Sequence, residues 1–205
     1  MERLRGDVTW VEQAGVTATQ PPVVGAVLFD RDGTLVVDVP YNHDPALVEP
    51  MPTALAAVRA LRAAGVPVGV VSNQSGVARG LISSSQLAAV NARVDEVFGG
   101  FDTWQVCPHG AEDGCACRKP RPGLVLAAAA ALGVAPGDVV VVGDIGSDMG
   151  AAAAAGARGV LVPTAVTRPE EVREAPQTAA TLAEAVAAIL AGPAPQHLST
   201  LRDDA

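Results

Sequence analysis

The sequence predicts an α/β domain with a central parallel sheet and helices on both faces, and three observations carry that prediction. Val66–Ser72 and Asp138–Gly143 are almost unbroken apolar runs, the signature of strands buried on both sides. Segments with apolar residues at helical spacing lie between such runs, and several close on a glycine. Strand and helix then alternate along the chain, as in consecutive βαβ units. At 205 residues there is room for one such domain with a sizeable core.

Residues 1–22 have no periodicity and run into Pro21-Pro22, so they read as a loosely attached extension before a domain spanning 23–192. Gly25–Asp30 is a short buried strand, and Thr53–Ala64 a helix closed by Gly65. Val66–Ser72 is the second strand. Ser84–Phe98 has a Ser start and places Leu87, Val90, Val94, Val97 and Phe98 on one helical stripe. A third strand, Thr103–Cys107, precedes a helix over Gly123–Leu132 that ends at Gly133. Asp138–Gly143 is the fourth strand, Met149–Ala155 a helix stopped by Gly156, and Arg158–Val162 the fifth strand. Thr181–Leu190 is the last helix. Beyond Gly192, residues 193–205 carry Pro193 and Pro195 and read as a mobile tail.

Composition narrows the function. Net charge is −8, which disfavours nucleic acid and anionic membrane as partners. No apolar run approaches the roughly 18 residues of a membrane span, and no apolar segment follows the basic residues of the N-terminus, so a cytoplasmic protein is expected. The expectation for assembly is a monomer. All 3 cysteines fall between Cys107 and Cys117, an odd and crowded set unsuited to a disulfide framework.

Ligands of parallel sheets bind at the carboxyl ends of the strands, and the polar signatures of this chain fall there. The first strand ends in Asp30-Arg31-Asp32-Gly33-Thr34. If strand geometry continues that far, Asp30 and Asp32 share a side, and such a pair needs a cation or a proton between its members. The second strand ends in Ser72-Asn73-Gln74-Ser75-Gly76, where a hydroxyl and backbone N–H groups can hold phosphate oxygens. After the third come Cys107-Pro108-His109 and Cys115-Ala116-Cys117-Arg118-Lys119-Pro120; after the fourth, Gly143-Asp144-Ile145-Gly146-Ser147-Asp148. Two carboxylate clusters, a hydroxyl and a cation at one edge suit magnesium-dependent phosphoryl transfer from a small phosphorylated metabolite. Cys107, His109, Cys115 and Cys117 match a structural zinc site in ligand type and number. Arg79 and Arg118 are candidates for a second anionic group of the substrate, or simply solvated arginines. Asp38, Tyr41, Asn73 and His43 are candidate substrate contacts. Asp148 either caps the helix that follows or orients neighbours of the metal.

Four motifs in order, Asp-Arg-Asp-Gly-Thr, Ser-Asn-Gln-Ser-Gly, Arg-Lys-Pro and Gly-Asp-x-x-x-Asp, make the chain resemble the haloacid dehalogenase (HAD) superfamily of phosphatases over roughly 23–191. The resemblance is nearest to the branch of heptose-bisphosphate and histidinol-phosphate phosphatases. It implies a Rossmann-like fold with Asp30 as nucleophile, Asp32 as general acid and base, Ser72 on the phosphoryl oxygens and Lys119 neutralising them. Magnesium would be held by Asp30, the carbonyl of Arg31 and Asp144, with Asp144 favoured over the Asp32 side chain. No insertion is long enough for a large cap domain, so an open site is expected, screened by loops that include the zinc loop. Two positions depart from the branch: Ile145 stands where a Lys follows the magnesium-binding Asp, and Val36 where an Asn follows Asp-Gly-Thr. Both are expected beside the site, where they bear on the sugar rather than the chemistry. Histidinol phosphate is the alternative substrate; a polynucleotide phosphatase and a non-catalytic zinc-bearing module are the remoter readings.

Overall fold

The computed structural model describes residues 24–192. The expected extension (1–22) and tail (193–205) lie outside the described residues. Five strands, β1 (Ala26–Phe29), β2 (Val68–Asn73), β3 (Thr103–Cys107), β4 (Val139–Gly143) and β5 (Arg158–Leu161), form one parallel sheet in the order β3-β2-β1-β4-β5. Successive side chains of β1 and β4 divide between two apolar layers. Val27, Phe29, Val140 and Val142 pack with helices α1 (Ala54–Ala63), α2 (Ser84–Phe98) and α6 (Leu182–Ala191). Ala26, Leu28, Val139 and Val141 pack on the opposite face with α3 (Gly123–Leu132) and α4 (Gly146–Ala155). Burial on both faces is why these strands read as continuous apolar runs rather than alternating ones.

The order reverses at β1, which lies between β2 and β4, so the crevice of a doubly wound sheet opens above the carboxyl ends of β1 and β4. The predicted elements are all present, with ends displaced by a few residues at most positions. α4 begins three residues early, at Gly146, with the Asp148 side chain accepting from the backbone N–H of Ile145 at 3.3 Å. One helix, α5 (Pro169–Glu174), has no counterpart among the predicted elements. At six residues, it is too short to show a periodic stripe. Among the described residues the loops after β1, β2 and β3 carry only short 3-10 turns and no cap domain.

Candidate active site

β1 stops at Phe29, so the strand does not extend through Asp30 and Asp32 as the alternation argument required. Asp30 is fixed by its own N–H, which donates to Val142 O on β4 at 2.9 Å, and its Oδ1 accepts from Arg31 N at 2.7 Å. Gly33 then turns the chain at φ +76°. A Cβ at that position would lie 2.4 Å from Asp144 Oδ2, so glycine is required both for the turn and for the approach of the two strand ends.

Three carboxylates, Asp30, Asp144 and Asp148, present oxygens within 4.8 Å of one another, all buried. Asp32 is not in that group. Lys119 Nζ sits among them, 2.8 Å from Asp30 Oδ1 and 2.6 Å from Asp148 Oδ1, and donates to Val71 O at 2.8 Å. The ammonium thus meets two carboxylates as ion pairs and one carbonyl as a hydrogen-bond acceptor. Burial pushes the Asp30 carboxyl up to about 7, with Asp148 and Asp32 adding to the rise against the pull of Lys119. Burial and Asp148 hold Asp144 near 6. For Lys119 burial opposes the charge, but Asp148 and Asp30 outweigh it and raise its pKa. One buried cation against three carboxylates leaves a site short of positive charge, which is the donor set a hard divalent cation takes.

The carbonyl of Arg31 does not suit the ligand role expected of it. It already accepts from Leu35 N at 2.9 Å and Val36 N at 3.0 Å in the turn that follows β1. The carbonyl of Asp32 accepts no backbone hydrogen bond of this kind.

The cluster forms one end of a cavity of about 1190 Å³ lined by Asp30, Asp32, Lys119, Asp144 and loops from both sides of the crevice. Asp38, Tyr41, Asn73 and Arg118 also line it, as does Ile145. Asn73 does more than border the cavity: its amide accepts from Lys119 N and donates to Lys119 O, both at 3.1 Å, clamping the lysine's peptide. Asp38 is exposed, and its carboxyl is raised by partial burial and by Asp32. Arg79 is not on the cavity wall; it stacks on Tyr41, its guanidinium 5.2 Å from the ring centroid, and donates to the Tyr41 hydroxyl. His43 is exposed and away from the wall. Ser72 is buried, off the wall, and accepts from Gln74 Nε2 at 2.9 Å. Val36, expected beside the site, is instead 4% exposed and belongs to the core with Val27 and Phe29. Of the two departures from the branch, only Ile145 meets the cavity.

The structure also shows partners that motif reading passed over. Asp32 is held by a two-point fork, Arg31 Nε to Oδ1 and Nη2 to Oδ2, both 2.9 Å, and by Gln74 Nε2 at 2.7 Å. Arg31 Nη1 reaches Asn91 Oδ1 on α2 at 2.6 Å. Thr167 donates to Asp144 O at 2.6 Å from the loop after β5.

Ahead of Lys119, Cys107, His109, Cys115 and Cys117 bring four donor atoms within 4.8 Å of one another. Cys107 Sγ lies 3.2 Å from Cys117 Sγ and 3.7 Å from Cys115 Sγ, and His109 Nδ1 is 3.2 Å from Cys117 Sγ. These separations are too long for a disulfide. They approach the edge of about 3.8 Å of a tetrahedron with zinc–sulfur bonds of about 2.3 Å. The donor set therefore fits zinc, on a loop that leads directly into Arg118 and Lys119.

A HAD-hydrolase-like family model matches residues 116–189. The chain is 41% identical over 165 residues to the D-glycero-beta-D-manno-heptose-1,7-bisphosphate 7-phosphatase of Mesorhizobium japonicum, covering 75% of this chain and 76% of that protein. The enzyme of the same name from Pseudomonas aeruginosa is 38% identical over 144 residues, 67% of this chain and 80% of that one. The crystal structure of D,D-heptose 1,7-bisphosphate phosphatase from B. bronchiseptica, complexed with magnesium and phosphate, superposes with a TM-score of 0.71 at 33% identity. That likeness covers 79% of this chain and 96% of that chain.

Proposed function

The chain belongs to the HAD-like hydrolases, a family of phosphoric monoester hydrolases, and from that membership we propose that it is a magnesium-dependent phosphatase of a small sugar phosphate. The first candidate substrate is D-glycero-β-D-manno-heptose 1,7-bisphosphate, the compound named for its relatives. The observation that carries the reading is the cluster of Asp30, Asp144, Asp148 and Lys119 at one end of the cavity, with Asp32 beside it.

Asp30 supplies the nucleophilic oxygen. As it attacks phosphorus in line, an Asp30–phosphorus bond forms and the ester bond breaks. Lys119, held by three acceptors, keeps fixed positive charge beside the transferring group without reorganisation. Asp32 gives its proton to the departing alkoxide and takes one from the water that then releases phosphate. Asp30 and Asp144, with the carbonyl of Asp32 as the free backbone candidate, would hold magnesium, which would supply the charge neutralisation the carboxylates lack. Asp148 orients Lys119 and tethers the start of α4. Cys107, His109, Cys115 and Cys117 would hold a structural zinc, which would fix the loop that presents Arg118 and Lys119.

Steady-state phosphate release, measured with magnesium over heptose 1,7-bisphosphate, histidinol phosphate and a phosphorylated oligonucleotide, tests the substrate. Heptose bisphosphate is expected to give a kcat/KM at least about tenfold above the others, the scale on which a few specific polar contacts discriminate. A maximum at histidinol phosphate overturns the sugar assignment, a risk raised by Ile145 on the cavity wall. Release from no ester overturns the phosphatase reading. Metal analysis of protein purified under reductant should find about one zinc per chain after dialysis; zinc-free protein of unchanged stability refutes the zinc assignment.

A further inference from the structure

We propose that Arg31, Gln74 and Asn91 are positioning residues that aim the Asp32 carboxylate and leave Oδ1 as the oxygen open to the leaving group. The inference rests on the phosphatase reading above and adds the device by which its acid is oriented.

Asp32 lies beyond the end of β1, on the turn made by Gly33, so regular strand geometry does not set its direction. Its side chain is a quarter exposed at the cavity, where a free aspartate would sample several rotamers. Side-chain donors take over that task. The Arg31 guanidinium, 2% exposed, grips both oxygens in a fork between consecutive residues. Such a planar fork fixes the plane of a carboxylate as well as its position. Arg31 is itself anchored sixty residues away, through Nη1 to Asn91 on α2. Gln74 adds a second bond to Oδ2 while its amide also reaches Ser72 on β2. The carboxylate is thereby tied to both α2 and β2.

The count of donors assigns the oxygen. Oδ2 receives Arg31 Nη2 and Gln74 Nε2, which fills its two lone pairs; Oδ1 receives only Arg31 Nε. Oδ1 retains a lone pair, so it is the oxygen through which the acid step exchanges its proton. When the ester bond breaks, a proton passes from Oδ1 to the leaving alkoxide. In the second half-reaction a proton of the attacking water returns to Oδ1 as the Asp30–phosphorus bond breaks, and the cycle closes with one water consumed.

A fork that merely balanced a buried arginine would support the fold without touching proton transfer. The two roles separate by leaving group. An alkoxide needs the Asp32 proton; p-nitrophenolate departs without it. kcat/KM reports the steps through phosphoryl transfer to Asp30 and does not include the later attack by water. Asn91 is absent from the cavity wall and touches no substrate, so it is the cleanest probe. In Asn91→Leu, kcat/KM should fall by about tenfold or more on the alkyl phosphate the parent turns over best. On p-nitrophenyl phosphate it should change by less than about twofold. Asn91→Asp, which keeps an acceptor for Arg31, should restore the alkyl rate. An equal loss on both esters, or no loss on either, overturns the inference. A parent inactive on both esters overturns the phosphatase reading itself, an outcome visible before any variant is made.

Discussion

Asp30→Asn removes turnover, by on the order of 10⁴-fold or more, and leaves the protein at least as stable as the parent. The loss follows because the amide oxygen is a poor nucleophile toward phosphorus, and no other carboxylate occupies its place on the strand end. Asp148, the neighbour that shares Lys119, is fully buried beneath the site. The second half of the expectation comes from electrostatics. Burial and the neighbouring carboxylates Asp148 and Asp32 push the Asp30 carboxyl up to about 7, so the folded apo protein disfavours its charged form. Asn is nearly isosteric and neutral, and its side-chain oxygen can still accept from Arg31 N, the bond now made at 2.7 Å. Substitution relieves repulsion without opening a cavity, the pattern in which a catalytic group is held at a cost to stability. Phosphate release with the best ester and urea unfolding in chelator check the two halves. A variant that hydrolyses as fast as the parent refutes the nucleophile; one that is inactive but clearly less stable refutes the account of the strained carboxylates.

The sheet was legible because parallel strands buried on both faces leave an apolar run that needs no partner to be seen. The helix α2 begins at the Ser83 cap and ends at Gly99, and α3 ends at Gly133, where capping residues and glycines place them. The candidate acids after β1 and β4 were legible for a different reason: such a fold places its polar motifs at strand ends, where they interrupt an apolar run. What stayed hidden depends on side-chain direction. Asp148 left two readings open, capping the helix that follows or orienting neighbours of the metal. One of its oxygens takes Ile145 N and the other pairs with Lys119. Asn73 is a conspicuous motif polar residue, yet its bonds go to the backbone of a lysine forty-six positions away. Arg31, Gln74 and Asn91 follow no period and meet only through the tertiary fold. Val36 was placed by proximity in sequence to Asp-Gly-Thr, and the turn after β1 carries it into the core instead. The same turn, by drawing Leu35 N and Val36 N to the Arg31 carbonyl, takes that oxygen out of the expected magnesium set.

Lys119→Met is the substitution with the largest expected cost to folding, about 3–5 kcal/mol near neutral pH. Met fills much of the lysine's volume, so packing survives and the change isolates charge and hydrogen bonding. The ammonium's three partners, Asp30 Oδ1, Asp148 Oδ1 and Val71 O, all lose a donor at once. Asp148 suffers most. It is 0% exposed, and a Cβ on Gly143 would come within 2.3 Å of its carboxyl carbon, so it has no room to turn toward solvent. A buried carboxylate without its cation can only take up a proton, which sets the pH dependence. The Asp30 pKa is already about 7 in the folded protein, well above the ordinary carboxylate range, and Lys119 is a group that lowers it. Without Lys119 the folded state keeps the Asp30 proton above about 7, where the folded parent and the unfolded chain have released it, so the variant's deficit grows as pH rises through that value. The deficit of the variant should therefore be smaller at pH 5 than at pH 8, measured as the shift in urea unfolding free energy from the parent. A deficit that is equal at the two values, or larger at pH 5, means that Asp30 and Asp148 do not depend on Lys119 for their charge. In that case the ammonium would not be the fixed cation of the site, and phosphoryl transfer would have to draw its positive charge from elsewhere in the cavity.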